Sequence, residues 1–206
     1  MDPTTILRYQ KENQQKERAQ IVFTGSSLME QFPVEDWTNG TVLNRGWSGA
    51  TSDAFLSVID TLIFDLMPKQ IVLNIGSNDF NQADYQLDHL LANYQQILNQ
   101  IKQKLPESQV TFLAFYPVCE SKMHDLAQTQ PWLTDIIPYR TNAKIAEANV
   151  AIKSLMKQYD YQTIDVNFLL SDEKGHLKRE WTSDGIHLYE KAYRILWEEL
   201  KKTFHP

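Results

Sequence analysis

The sequence predicts an α/β protein whose parallel sheet is covered by helices on both faces. Two observations carry this. Short apolar runs alternate five times with stretches of helical periodicity, and such alternation calls for right-handed crossovers between parallel strands. The run Ile71-Val72-Leu73-Asn74-Ile75 is almost uninterrupted, as expected of a central strand covered on both sides. At 206 residues, with 42% hydrophobic and 22% charged side chains, the chain suits one packed domain. No repeat, low-complexity tract or linker marks a second.

Taken in order, residues 1–18 form an N-terminal segment rich in Gln, Lys and Glu, with Ile6, Leu7 and Tyr9 as its few apolar positions. It reads as an exposed helix packed along one edge. Ile21-Val22-Phe23 is the first strand, and Thr24-Gly25-Ser26-Ser27-Leu28 turns it into a helical segment, Gly25 permitting the bend. Residues 32–40 read as loop, with Pro33, Trp37, Asn39 and Gly40. Residues 41–44 are the second strand, residues 45–51 a loop, and Ser52 a candidate cap for the next helix. That helix shows Phe55, Leu56, Ile59, Leu62 and Ile63 at helical spacing until Pro68 ends it.

The third strand runs into Gly76-Ser77-Asn78-Asp79. Residues 84–105 carry a sustained apolar face from Leu87 to Leu105, closed by Pro106. Residues 110–115 are the fourth strand. Residues 117–138 are long for a connection inside a compact domain, and they hold Met123, Leu126, Trp132, Leu133, Ile136 and Ile137. A helix presenting Ile145, Ile152, Leu155, Met156 and Tyr159 follows, then a fifth strand over residues 163–166. A polar loop leads to Asp184-Gly185-Ile186-His187, and the last helix carries Tyr189, Ala192, Tyr193, Leu196, Trp197 and Leu200.

Composition narrows the function. The net charge of -6 comes without a basic run, which argues against nucleic acid or an anionic membrane as partner. Cys119 is the single cysteine, so there is no intrachain disulfide, and no Cys/His cluster resembles a zinc site. There is no stretch of about 18 apolar residues to span a membrane and no signal-peptide core, so a cytoplasmic location is expected.

Ser27, Gly49, Asn78 and the Asp184/His187 pair all follow strands. In a parallel sheet they project from one edge, where ligands bind. A carboxylate three residues before a histidine can reach its imidazole, and such a pair can take and return a serine proton. Gly49 and Asn78 could offer N–H groups to a developing oxyanion. Each residue alone also fits a plainer role: turn glycine, turn asparagine, helix cap, exposed histidine. His89, His124, His176 and His205 read as solvent-facing, and Cys119 as a small buried residue. The group Trp132, Leu133, Ile136 and Ile137 is most simply core; alternatively it walls an acyl pocket or forms a partner contact.

In this order, the segments resemble the SGNH-hydrolase family, also called GDSL-type esterases and lipases. Gly25-Ser26-Ser27 resembles the first block, Asn44-Arg45-Gly46-Trp47-Ser48-Gly49 the second, Gly76-Ser77-Asn78-Asp79 the third and Asp184-Gly185-Ile186-His187-Leu188 the last. The resemblance implies a flavodoxin-like α/β/α sandwich with strand order 2-1-3-4-5. It implies Ser27 as nucleophile, Asp184 and His187 as its relay, and Ser27, Gly49 and Asn78 as the oxyanion hole. It further implies hydrolysis of an acyl or acetyl ester, with a small-molecule substrate and no cofactor or metal. Ser26 stands where the family commonly has Asp, which leaves the hydrogen bonding of the serine turn open. The Gly-x-Ser-x-Gly elbow of α/β-hydrolases is absent. A binding protein that keeps this fold without turnover is the alternative. The apolar connection leans towards a lipid-like or short acyl group and leaves a homo-oligomer possible.

Overall fold

The computed structural model describes residues 2–15, 19–38 and 41–204. Five strands form one sheet in the order β2-β1-β3-β4-β5. They are β1 (Ile21–Gly25), β2 (Val42–Gly46), β3 (Gln70–Asn74), β4 (Gln109–Leu113) and β5 (Gln162–Ile164). Every pairing is parallel; Phe23 faces Asn44 on one side and Val72 on the other. Both the parallel sheet and the 2-1-3-4-5 order expected from the resemblance are therefore present.

The period of two along β3 sorts the core into two layers. Ile71 and Leu73 join the larger one, against α4 (Ser52–Ser57), α5 (Ile59–Leu62), α6 (Leu87–Lys104) and α9 (Asn142–Gln158). Val72 points the other way, with Phe23 and Leu113, against α2 (Ser27–Glu30), α3 (Val34–Trp37) and α10 (Glu190–Leu200). Among the described residues no helix is long and apolar enough to cross a membrane.

Some local expectations hold and others are corrected. The N-terminal helix, α1 (Pro3–Asn13), is started by an Asp2 cap and, as expected, packs against the rest of the protein. Tyr9 donates to the Gly46 carbonyl at 2.7 Å, and Asn13 donates to that of Thr61 at 2.8 Å. Residues 32–40 hold the short helix α3. Thr51 caps α4, because the hydroxyl of Ser52 is turned inward to Asp79. The long connection contains α7 (Glu120–Leu126) and α8 (Pro131–Ile136). Tyr189 is an exposed N-cap outside α10 rather than part of its buried face. Asn39, Gly40, His205 and the end of the expected N-terminal helix lie outside the described residues.

Candidate active site

Ser27, Gly49 and Asn78 lie in the segments that directly follow β1, β2 and β3, whereas the Asp184/His187 pair lies well past β5, after the short turns Asn167–Leu169 and Arg179–Trp181 rather than directly after a strand. Gly25 ends β1 at φ 154°, and a Cβ there would come within 2.0 Å of the Asn74 carbonyl oxygen. Glycine alone allows β1 to turn this close to β3. The turn separates two neighbouring hydroxyls. Ser26 is 0% exposed and its Oγ lies 2.7 Å from Ser77 Oγ. Ser27, at the first position of α2, is 9% exposed, and its Oγ lies 3.0 Å from His187 Nε2. Ser26 therefore fastens the serine turn to the turn that follows β3, and Ser27 faces the imidazole.

The Asp184–His187 segment is a closed turn. Asp184 Oδ1 accepts the backbone N–H groups of Ile186 and His187, both at 2.8 Å. Its Oδ2 lies 2.6 Å from His187 Nδ1. The Thr182 hydroxyl donates to the His187 carbonyl, and the Gly185 carbonyl accepts the Cys119 N–H at 2.8 Å. Asp184 serves its own turn, not α10, whose N-cap is Tyr189.

Burial pushes the Asp184 carboxyl up. The His187 hydrogen bond and charge and the two backbone N–H groups outweigh it, so the net shift is downward. A carboxyl depressed by folding stabilises the folded state above its unfolded value, about 3.9, and loses that contribution as pH falls through the folded value. Urea titrations of the parent and Asp184→Asn at pH 7 and pH 3 test this. The midpoint gap should narrow at pH 3; an unchanged gap would contradict the linkage.

Asn78 is oriented from both ends. Its amide donates to the Ala50 carbonyl at 3.0 Å, its oxygen accepts from Asn81 at 3.3 Å, and it has no second acceptor among the described residues. The Ala50 bond ties the turn after β3 to the Gly49 loop. Gly49 is exposed and adopts φ 79°, the left-handed region.

The side chains that hold these loops were not identified from the sequence. Glu30 accepts the backbone N–H of Ser48 at 2.8 Å, and also its hydroxyl, pinning the Gly49 loop to α2. Asp79 likewise accepts both groups of Ser52. Asn44 donates to the Met29 and Phe32 carbonyls and accepts from the Gly46 N–H. Arg140 is 3% exposed, and its Nε has no acceptor among the described residues. Burial lowers its pKa to about 10, with the Asp184 charge opposing that shift. Glu30 lies just past the first block, Asn44 begins the second and Asp79 ends the third, which is a usable signal; Arg140 offers none.

The other candidates divide. Cys119 is free and buried, as expected. His124 is exposed; His89 is exposed too, but paired with Asp53 at 2.8 Å. In α8, Leu133 is 0% exposed, whereas Trp132 is 41% exposed with its ring centroid 6.3 Å from that of His187. Among the described residues no group of three or more His, Cys, Asp or Glu side chains is arranged to hold a metal ion.

A sequence model of the GDSL-like lipase/acylhydrolase family matches residues 23–195. Among solved structures, a Streptococcus pneumonia protein named for platelet activating factor is similar, with 27% identity, a TM-score of 0.86, and coverage of 98% of this chain and 92% of that one. A GDSL-like lipase from Bacteroides thetaiotaomicron has 23% identity, a TM-score of 0.79 and 96% coverage of each chain. An acetyl xylan esterase from Geobacillus stearothermophilus has 12% identity, a TM-score of 0.66, and 90% and 94% coverage. The last two likenesses speak to the fold alone. The chain is also 22% identical over 193 residues to an N-acylneuraminate cytidylyltransferase of Escherichia coli O18:K1:H7, spanning 93% of this chain but only 42% of that protein.

Proposed function

The chain belongs to the GDSL-like lipase/acylhydrolase family, and we propose that it is a serine esterase acting on a carboxylic ester through an acyl-enzyme. The observation that carries this reading is the unbroken line from Ser27 Oγ to His187 Nε2 and from His187 Nδ1 to Asp184 Oδ2. With its Nδ1 proton held by Asp184, the imidazole presents an unprotonated Nε2 to the serine hydroxyl.

Ser27 Oγ attacks the ester carbonyl carbon while His187 takes its proton. The carbonyl oxygen becomes an oxyanion, received by the backbone N–H groups of Ser27 and Gly49 and the Asn78 amide. Ser27 begins α2, so its N–H has no partner within the helix. The tetrahedral adduct collapses, the bond to the alcohol oxygen breaks, and His187 returns the proton to that oxygen. Water, deprotonated by His187, then releases the acid from Ser27. The substrate is a small-molecule ester, either lysophospholipid-like or a carbohydrate acetate, and the chemistry requires no cofactor.

A fluorophosphonate probe tests the reading. Peptide mapping should place the label on Ser27. No labelling together with no hydrolysis across an ester panel would favour a binding protein that keeps the fold without turnover. The oxyanion assignment has its own test. Asn78→Ala should lower kcat for p-nitrophenyl acetate about a hundred- to thousand-fold, the usual loss for one oxyanion donor, with KM little changed because the donor acts on charge formed in the transition state. A KM effect alone would assign Asn78 to substrate binding instead.

A further inference from the structure

Trp132 has no role in the chemistry above, yet it flanks the imidazole that performs it. It lies on α8, which packs against the turn Asp79–Asn81 directly after Asn78. The helix thus spans from the oxyanion side of the cleft to His187. Leu133 is buried and Ile136 packs on the core, which anchors α8. Trp132 is left 41% exposed, with its ring tilted 51° to that of His187 at 6.3 Å between centroids. An exposed indole on an anchored helix is a flat apolar surface offered to a ligand. Its N–H has no partner among the described residues.

The reaction decides which part of an ester meets this surface. His187 Nε2 must come within about 3 Å of the alcohol oxygen to return its proton, while the carbonyl oxygen points to Gly49 and Asn78. A side chain packed beside the imidazole therefore borders the alcohol, not the acyl chain. Resting on the serine-esterase reading, we infer that Trp132 is a specificity-determining residue for the leaving alcohol, favouring alcohols with a flat ring face, sugar or aryl. Such a ring lies on the indole while its ester oxygen is held at His187. This moves selectivity from acyl length, suggested by the apolar connection alone, to the alcohol.

Two ester series separate these readings. One holds the acyl group as acetate and varies the alcohol: a monoacetylated methyl pyranoside, phenyl acetate and ethyl acetate. The other holds p-nitrophenol and varies the acyl group from acetate to octanoate. In Trp132→Ala, kcat/KM should fall about tenfold for the ring acetates, the worth of a good aromatic contact, and stay within twofold for ethyl acetate. The p-nitrophenyl series should fall by one common factor, with the chain-length profile unchanged. The larger loss between pyranoside and phenyl acetate names sugar or aryl as the preferred ring. Trp132→Phe should keep most of the preference, and an unchanged thermal midpoint in both variants excludes a folding effect. A changed chain-length profile with alcohol selectivity intact, or no change in either series, would overturn the inference. Fluorophosphonate labelling of Ser27 in Trp132→Ala distinguishes failure of this inference from failure of the esterase reading, because labelling persists in the first case and is absent from the parent in the second.

Discussion

Ser27→Ala is expected to lower hydrolysis of p-nitrophenyl acetate to below about a thousandth of the parent rate, while Ser26→Ala keeps measurable turnover and fluorophosphonate labelling. The two hydroxyls are neighbours, and their surroundings differ in kind. Ser27 Oγ lies 3.0 Å from His187 Nε2, the base that the proposed mechanism assigns to it. Ser26 Oγ is bonded to Ser77 and fully enclosed, so it has neither base nor access. Removing the Ser26 hydroxyl leaves Ser77 Oγ short of a buried partner, a cost of about 1–3 kcal/mol. That loss should appear as a lower thermal midpoint rather than as lost chemistry. Full activity in Ser27→Ala would end the nucleophile assignment; loss of labelling in a folded Ser26→Ala would transfer it to Ser26.

Asp184→Asn should cost about ten-thousand-fold in kcat near neutral pH, as expected when the imidazole is held in the wrong tautomer. The surrounding backbone makes the outcome predictable. Two N–H groups, of Ile186 and His187, converge on Oδ1. An asparagine must keep its oxygen there, which turns its NH2 towards His187 Nδ1. Nδ1 then becomes an acceptor, and the ring proton moves to Nε2, where Ser27 needs a base. Stability at neutral pH should fall less than activity, because both backbone bonds survive. Retention of more than a tenth of the parent kcat in a folded Asp184→Asn protein would show that Asp184 does not set the tautomer.

Much of this arrangement was legible in the sequence. The run from Ile71 to Ile75 marked a strand covered on both sides, and Ile71, Val72 and Leu73 do face alternate layers. The blocks around Ser27, Gly49, Asn78 and His187 announced the family through their order. The boundaries were less legible. Ser52 had the right chemistry for a cap, but Asp79, 27 residues away, holds its hydroxyl. A local pattern cannot register a competing partner at that distance. The short helix α3 lay in a stretch dominated by turn-forming residues, and four residues give too little periodicity to detect.

The sequence by itself determined the layering, the parallel sheet and the residue types available at its carboxyl edge. Apolar period and loop chemistry are local properties, readable without the folded chain. The resemblance already singled out Ser27 from its neighbour; the tertiary structure supplied the contacts that separate them, Ser27 with His187 and Ser26 with Ser77, because these join residues 160 and 51 apart. The tertiary structure alone decided that Leu133 is core and Trp132 is surface beside His187. A six-residue helix such as α8 has too few turns to declare its buried face. That face is set by where the rest of the protein stands, and the site inherits its shape from the same long-range packing.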